Sequence, residues 1–324
     1  MKSSAMWSLY AVVAASLLMG VACSDPAEDG EAVTIEVGSD MAGATTSDDG
    51  MSTGGEQGAD ATADLAAPVD RFKDCPVAAR PVYVVDAAGF KLLSFDPPTL
   101  SFKEVGSVAG CPSQVNGATP FSMAVDRDAN AWVLYNSGEL FIYEIENKRC
   151  MPTNFRPTQE FALFGMGFVL DWPNLQEDIL YIAGDGSGPG DMNPSDLGRV
   201  NFVEPDYERI AGPLPGDPEL TGTANGELWG FFPNTDPAQV ARIDRVTGEL
   251  HERFDIPQID DQAAAWAFAF WGGDFWVFYT GAEDDSTRVI KVDPETNQST
   301  EVLRDTGYLI VGAGVSTCAP LENG

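Results

Sequence analysis

The chain has 324 residues, with 50 Asp and Glu against 18 Lys and Arg, one His and five Cys. A net charge of −32 excludes electrostatic binding to nucleic acid or to bare anionic headgroups, because phosphate contacts need clustered Lys and Arg. The lone His251 excludes multi-histidine metal sites, while 44% apolar residues suffice for a folded core.

Lys2 is the only charge before Asp25, and Ala5 to Ala22 is apolar apart from Ser8, Tyr10 and Ser16. A basic start, a short apolar run and the small residues Gly20, Val21 and Ala22 predict a secretory signal over residues 1–22. The run is short for a membrane span and lacks a basic stop-transfer flank. Gly20-Val-Ala-Cys23 resembles a bacterial lipobox, with Gly20 where that pattern prefers Leu. The resemblance implies cleavage before Cys23 and lipid attachment to it. Ser24 is similar to the outer-membrane sorting context, so an outer-membrane lipoprotein facing the periplasm or the cell surface is expected. Without Cys23 four cysteines remain, an even number suited to disulfides in an oxidising compartment.

From Ser24 to Asp70 there are 12 acidic residues and no Lys or Arg, among Ala, Gly, Ser and Thr. Such a segment buries too little apolar surface to offset chain entropy, and residues 23–70 read as an acidic, disordered tether. The remaining residues, 71–324, still carry a net charge of −21.

In that remainder a hydrophobic strand repeatedly ends in an acidic residue and a turn. The instances are Phe95-Asp96-Pro-Pro-Thr99, Ile145-Glu146-Asn147, Val203-Glu204-Pro205, Ile243-Asp244-Arg-Val-Thr247 and Val292-Asp293-Pro-Glu-Thr296, with acidic positions 50, 58, 40 and 49 residues apart. Pro sets φ in such turns, and Asp and Thr bond the turn backbone. Further strand pairs flank Arg127–Asn130, Asn225-Gly226 and Gly272-Gly-Asp274. Capped helical stretches are missing. Four short strands per period predict an all-β fold, a β-propeller of four-stranded blades.

The ends set the blade count. Residues after Arg71 supply three strands, Val82–Val85, Phe90–Phe95 and Leu100–Val108, and Tyr308–Ser316 is one orphan strand. Making the orphan the innermost strand of the first blade gives five blades and a closed ring without exposed sheet edges. Four cysteines allow three pairings, and this ring selects Cys75–Cys318 across the closure and Cys111–Cys150 between blades one and two.

Met123-Ala-Val-Asp-Arg-Asp-Ala-Asn-Ala-Trp-Val133, followed by Gly138–Glu144, resembles the repeats of NHL- and YVTN-like, lactonase-like propellers. Signal, acidic tether and cysteine-bearing propeller together are similar to predicted lipoproteins of deltaproteobacteria. The resemblance runs from about Cys75 to Pro320 and implies fold more than function.

Five-bladed glycosidases present carboxylates from inner strands, and Asp126, Asp171, Asp260, Asp261 and Asp274 occupy inner-strand ends or their loops here. Related lactonases and lyases use metal-binding carboxylates or catalytic histidines, whereas His251 falls in an outer strand. Asp185, Asp191, Asn193 and Asp196 in one loop, and Glu283-Asp-Asp285 in another, offer oxygen ligands for calcium without EF-hand spacing. Trp266, Phe268 and Phe270 alternate with alanines and read as core, leaving Trp172 as the stacking candidate for a sugar. The expected function is a monomeric, envelope-tethered, non-catalytic module that recognises glycan, peptide or protein on one propeller face. The competing readings are a funnel-site hydrolase or lactonase and a structural envelope component. No cofactor is expected other than calcium.

Overall fold

Apolar runs bounded by turn residues become strands throughout the computed structural model, which describes residues 75–171, 177–185, 194–259 and 262–322. The signal, Cys23 and the tether lie outside the described residues. Among the described residues are twenty strands in five four-stranded antiparallel sheets, with two short 3-10 turns and no α-helix.

Blade one contains β1 (Val82–Asp86), β2 (Lys91–Asp96) and β3 (Ser101–Ser107). Blade two is β4 (Pro120–Val125), β5 (Asn130–Tyr135), β6 (Leu140–Glu144) and β7 (Arg149–Pro152). Blade three is β8 (Leu163–Leu170), β9 (Asp178–Asp185), β10 (Ser195–Asn201) and β11 (Asp206–Leu214). Blade four is β12 (Glu219–Gly222), β13 (Leu228–Phe232), β14 (Gln239–Ile243) and β15 (Leu250–Asp255). Blade five is β16 (Ala263–Trp271), β17 (Asp274–Gly281), β18 (Arg288–Asp293) and β19 (Gln298–Leu303). The last strand, β20 (Ile310–Gly314), returns to pair antiparallel with β1, so the first sheet has the order β20-β1-β2-β3.

Closure by the orphan strand is therefore as expected, and both disulfides form the expected pairs, Cys75–Cys318 and Cys111–Cys150. The Leu309 amide donates to the Asp86 carboxylate at 3.0 Å and the Ser316 hydroxyl donates to the Ala79 carbonyl at 2.7 Å, which stitch the two chain ends together.

The repeat is real, but two of its positions shift. Each third strand is followed by a turn at the residue equivalent to Asp96, Asp244 or Asp293; in blades two and three that residue is Glu144 or Asn201, not Glu146 or Glu204. In blade three the Asn201 carboxamide oxygen accepts from the amides of Val203 and Glu204, as the Asp244 carboxylate does from Val246 and Thr247. An amide oxygen fills the same acceptor role as a carboxylate, so a search for acids alone misses it.

The core lies in five seams between neighbouring blades. Phe95, Trp276 and Phe278 fill the seam of blades five and one; Val85, Met123 and Tyr143 fill that of one and two. Trp132, Phe164 and Phe168 join blades two and three, Val169 and Leu228 join three and four, and Trp229, Phe268 and Phe275 join four and five. A seam buries apolar faces only while both of its blades are in place, so each blade depends on its neighbours and the ring is stable when closed.

The inner strands β20, β4, β8, β12 and β16 each contact the next around the axis. Their backbones approach so closely that glycine is required: a Cβ on Gly165 would lie 2.2 Å from the Pro218 carbonyl oxygen, and one on Gly222 2.0 Å from that of Phe168. The inner strands run in parallel, so their N-terminal ends share one face of the ring. Their C-terminal ends share the other face with Cys75 and Cys318.

Candidate functional site

All five blades converge on a cavity of about 260 Å³ where the inner strands begin. Phe121 comes from blade two, Leu163 and Phe164 from blade three, Trp266 from blade five, and Leu309 and Val311 from the closing segment. The wall is thus chiefly apolar, and the part-exposed aromatic residues Phe121 and Trp266 line it from two blades, while the Phe164 ring packs into the seam against Tyr207. Trp266 is half-buried, and its indole N–H donates to the Asp217 carbonyl at 3.2 Å, which fixes the ring at the mouth.

Glu219, the first residue of β12, also lines this cavity and is 3% exposed. Its carboxyl accepts from the Ser122 hydroxyl of β4 at 3.2 Å, and from the amides of Met166 and Leu220. Ser122 belongs to blade two and Glu219 to blade four, which are not neighbours, so the carboxyl reaches across the ring axis. Burial pushes its pKa well above the ordinary carboxylate value, and these three neutral donors only partly offset that. Asp217, at the same mouth, has a carboxylate oxygen 3.4 Å from the Ser195 hydroxyl.

Glu219 did not stand out in the sequence. It reads as one more acid in the loop Gly216-Asp-Pro-Glu219, with the strand beginning at Leu220. The only local signal is that the strand begins one residue earlier, which turns a loop acid into an inner-strand residue. Trp266, read as core, also reaches the cavity wall.

The opposite mouth carries a different set of groups. Asp126 and Asp171 sit in the connections after the inner strands β4 and β8, and Asp274 is the first residue of β17 after the turn that follows β16, all on the closure face and away from the cavity. Asp126 is committed to its own turn: its carboxylate accepts from the Asp128 and Asn130 amides, the Asn130 carboxamide and, at 2.9 Å, the Trp132 indole. Asp274 pairs with Lys291 at 2.8 Å and is buried. Trp172, Asp260 and Asp261 lie outside the described residues.

A group missed from sequence sits beside these. Thr317, just beyond β20, donates to the Asp178 carboxylate at 2.8 Å and accepts from the Arg127 guanidinium at 3.1 Å. Burial raises the Asp178 pKa to about 6, while Thr317 and Arg127 pull it down. Blades one, two and three meet there through one hydroxyl.

The calcium candidates are divided. Asp185 ends β9, Asp191 and Asn193 lie outside the described residues, and Asp196 is held by Arg209 through two hydrogen bonds, at 2.7 and 2.8 Å. Among the described residues no three His, Cys, Asp or Glu side chains are placed to hold a metal ion. His251 lies on the outer strand β15 opposite Arg242.

No protein-family model matches the chain, and no curated protein matches it. Among solved structures the chain is similar to a streptogramin B lyase, at 13% identity and TM-score 0.40, covering 70% of this chain and 66% of that one. It is similar to a chain of a nidogen–laminin complex at 11% identity and TM-score 0.46, covering 72% of this chain and 97% of that one. Its likeness to TolB from Acinetobacter baumannii has 13% identity and TM-score 0.42, over 72% of this chain and 55% of that one. The chain thus spans just under two thirds of the lyase and about half of TolB. None of their activities passes to this chain at such identities; its own strand order makes it a β-propeller of five four-stranded blades.

Proposed function

We propose that this propeller is a recognition module, held at the cell envelope by a lipid on Cys23, and that its ligand enters the funnel at the ring axis. The observation that carries this reading is the convergence of all five blades on an apolar cavity with the buried carboxyl of Glu219 in its wall. Its volume, about 260 Å³, lies just below the usual range of small-molecule sites, roughly 300–1,000 Å³. It suits a small molecule or the terminal group of a longer glycan, peptide or protein.

A non-catalytic role is favoured over a hydrolase by how the carboxyls are engaged. Glycoside hydrolysis needs two carboxyl groups flanking the bond, one acting as acid. Glu219 is bonded by three donors of the ring itself, Asp217 lies against Ser195, and Asp126 and Asp274 serve the far side.

The test uses the full chain and a library of small molecules and oligosaccharides, screened by ligand-observed NMR. Leu163→Trp and Leu309→Trp variants fill the funnel, and circular dichroism checks that they fold. Ligands bound by the wild type and lost in both variants support the funnel. Ligands retained by the filled variants place recognition elsewhere and overturn it.

A further inference from the structure

We infer that the funnel is a site for an organic ammonium cation, a protonated amine or quaternary nitrogen on a small apolar group, with Glu219 as its counter-charge. The inference rests on the funnel being the ligand site and adds the ligand's chemistry.

Two features of the wall point to a cation. Two part-exposed aromatic residues, Phe121 and Trp266, line it from two different blades, and an aromatic face attracts a cation most when water is excluded. Among the described residues no Lys, Arg or His lines the cavity, whereas Glu219 and Asp217 do. An anion therefore finds no counter-charge there, and only a cation offers one to the carboxylate that Glu219 becomes on losing its proton. An ammonium group supplies that charge and packs its carbon substituents against Leu163, Leu309 and Val311. The net charge of −32 also draws cations toward the protein.

The surroundings of Glu219 make the exchange readable. Ser122 from β4, the Met166 amide from β8 and its own neighbour Leu220 face it, and none of them titrates. β16 brings Ala265 and Trp266 to the same cavity, β9 brings Ala183 and Gly184, and the closing segment brings Val311; among the described residues Asp217 is the other acid of the lining. A cation that pairs with the carboxylate releases the proton that Glu219 otherwise holds. Affinity then rises with pH, by about tenfold per unit while Glu219 is mostly protonated, and levels off above its pKa. A neutral ligand that accepts a hydrogen bond from the protonated acid would show the opposite slope.

Calorimetry on the full chain from pH 5.5 to 8.5 tests this with choline and benzyltrimethylammonium, whose charges do not change with pH. The neutral comparisons are 3,3-dimethylbutan-1-ol, the carbon isostere of choline, and benzyl alcohol. The expected result at pH 8 is at least tenfold tighter binding of the cations, tightening as pH rises. Glu219→Gln should abolish that preference and flatten the pH profile, and Trp266→Leu should weaken the cations while keeping the slope. Equal or tighter binding of the neutral isosteres, cation affinity unchanged in Glu219→Gln, or no binding of the cations overturns the inference. Neutral compounds that bind and are lost in Leu163→Trp overturn the cation while the funnel stands. Ligands unaffected by Leu163→Trp remove both.

Discussion

The Ser122 hydroxyl donates to the Glu219 carboxyl at 3.2 Å across the axis of the ring, joining blade two to blade four past the blade between them. That bond places an acid where five apolar seams meet, and its protonation state is coupled to the stability of the ring.

Glu219→Gln should make the protein more stable at pH 8 and leave it unchanged at pH 4. Burial holds this carboxyl above its ordinary value of 4.5, so the folded chain keeps a proton that the unfolded chain releases. The stability is therefore full below pH 4.5, falls as pH rises toward the folded pKa and stays lowered beyond it. The amide keeps the acceptor for Ser122 and has no charge to bury. Thermal melts at both pH values read the difference, each kcal/mol relieved moving the midpoint by about 2–4 °C. A variant that melts lower at pH 8 contradicts the assignment.

Asp178 should behave similarly at the opposite mouth, with a defined window. Its folded pKa is raised to about 6 from 3.8, so its destabilising effect grows between those two values and is complete above pH 6. Asp178→Asn keeps an acceptor for Thr317 and should gain at most about 3 kcal/mol at pH 8 and nothing at pH 3. Urea unfolding at the two pH values measures it, and an equal gain at both would show that the titration is not the cause.

The two disulfides should differ in weight. Cys75–Cys318 closes a loop of 243 residues and Cys111–Cys150 one of 39. On the chain-entropy scale these correspond to about 5.5 and about 4 kcal/mol. Paired alanine substitutions, melted under identical conditions, should lower the midpoint more for the ring-closing bridge. Deleting the chain from Tyr308 onward is harsher, because it bares the edge of β1, whose five residues are all buried. The fragment should aggregate, as light scattering would report; a soluble monomer would show that the ring does not need β20.

Gly222→Ala should cost about 1–3 kcal/mol or more, since its Cβ would fall 2.0 Å from the Phe168 carbonyl oxygen and backbone atoms cannot step aside. Denaturant unfolding checks this. A neutral effect would mean that blades three and four can part without loss.

For the anchor, metabolic labelling with a palmitate analogue should mark the wild type and spare Cys23→Ala. Label that survives the substitution removes the lipid from Cys23.

Local chemistry was enough to read three of the five turns at the right residue and the other two a few residues late, and with them most strand pairs, the orphan strand and both disulfide pairings. Each depends on residues close in sequence or on the need to leave no sheet edge open. Strand alternation and Pro, Asp, Asn and Gly at turns act within a few positions, so they are visible in one chain. Asn201 escaped because a carboxamide does a carboxylate's work in that turn. The funnel was hidden for a different reason. Phe121, Phe164, Glu219, Trp266 and Leu309 are about 50 residues apart from one to the next, and nothing near any of them marks it out. In a chain with 50 acidic residues, Glu219 is distinguished by burial at the axis among neutral donors, and that burial arises when the inner strands of all five blades close around the axis. Closure of the ring creates the site and raises the pKa of its acid at the same time, because both follow from excluding water where the blades meet.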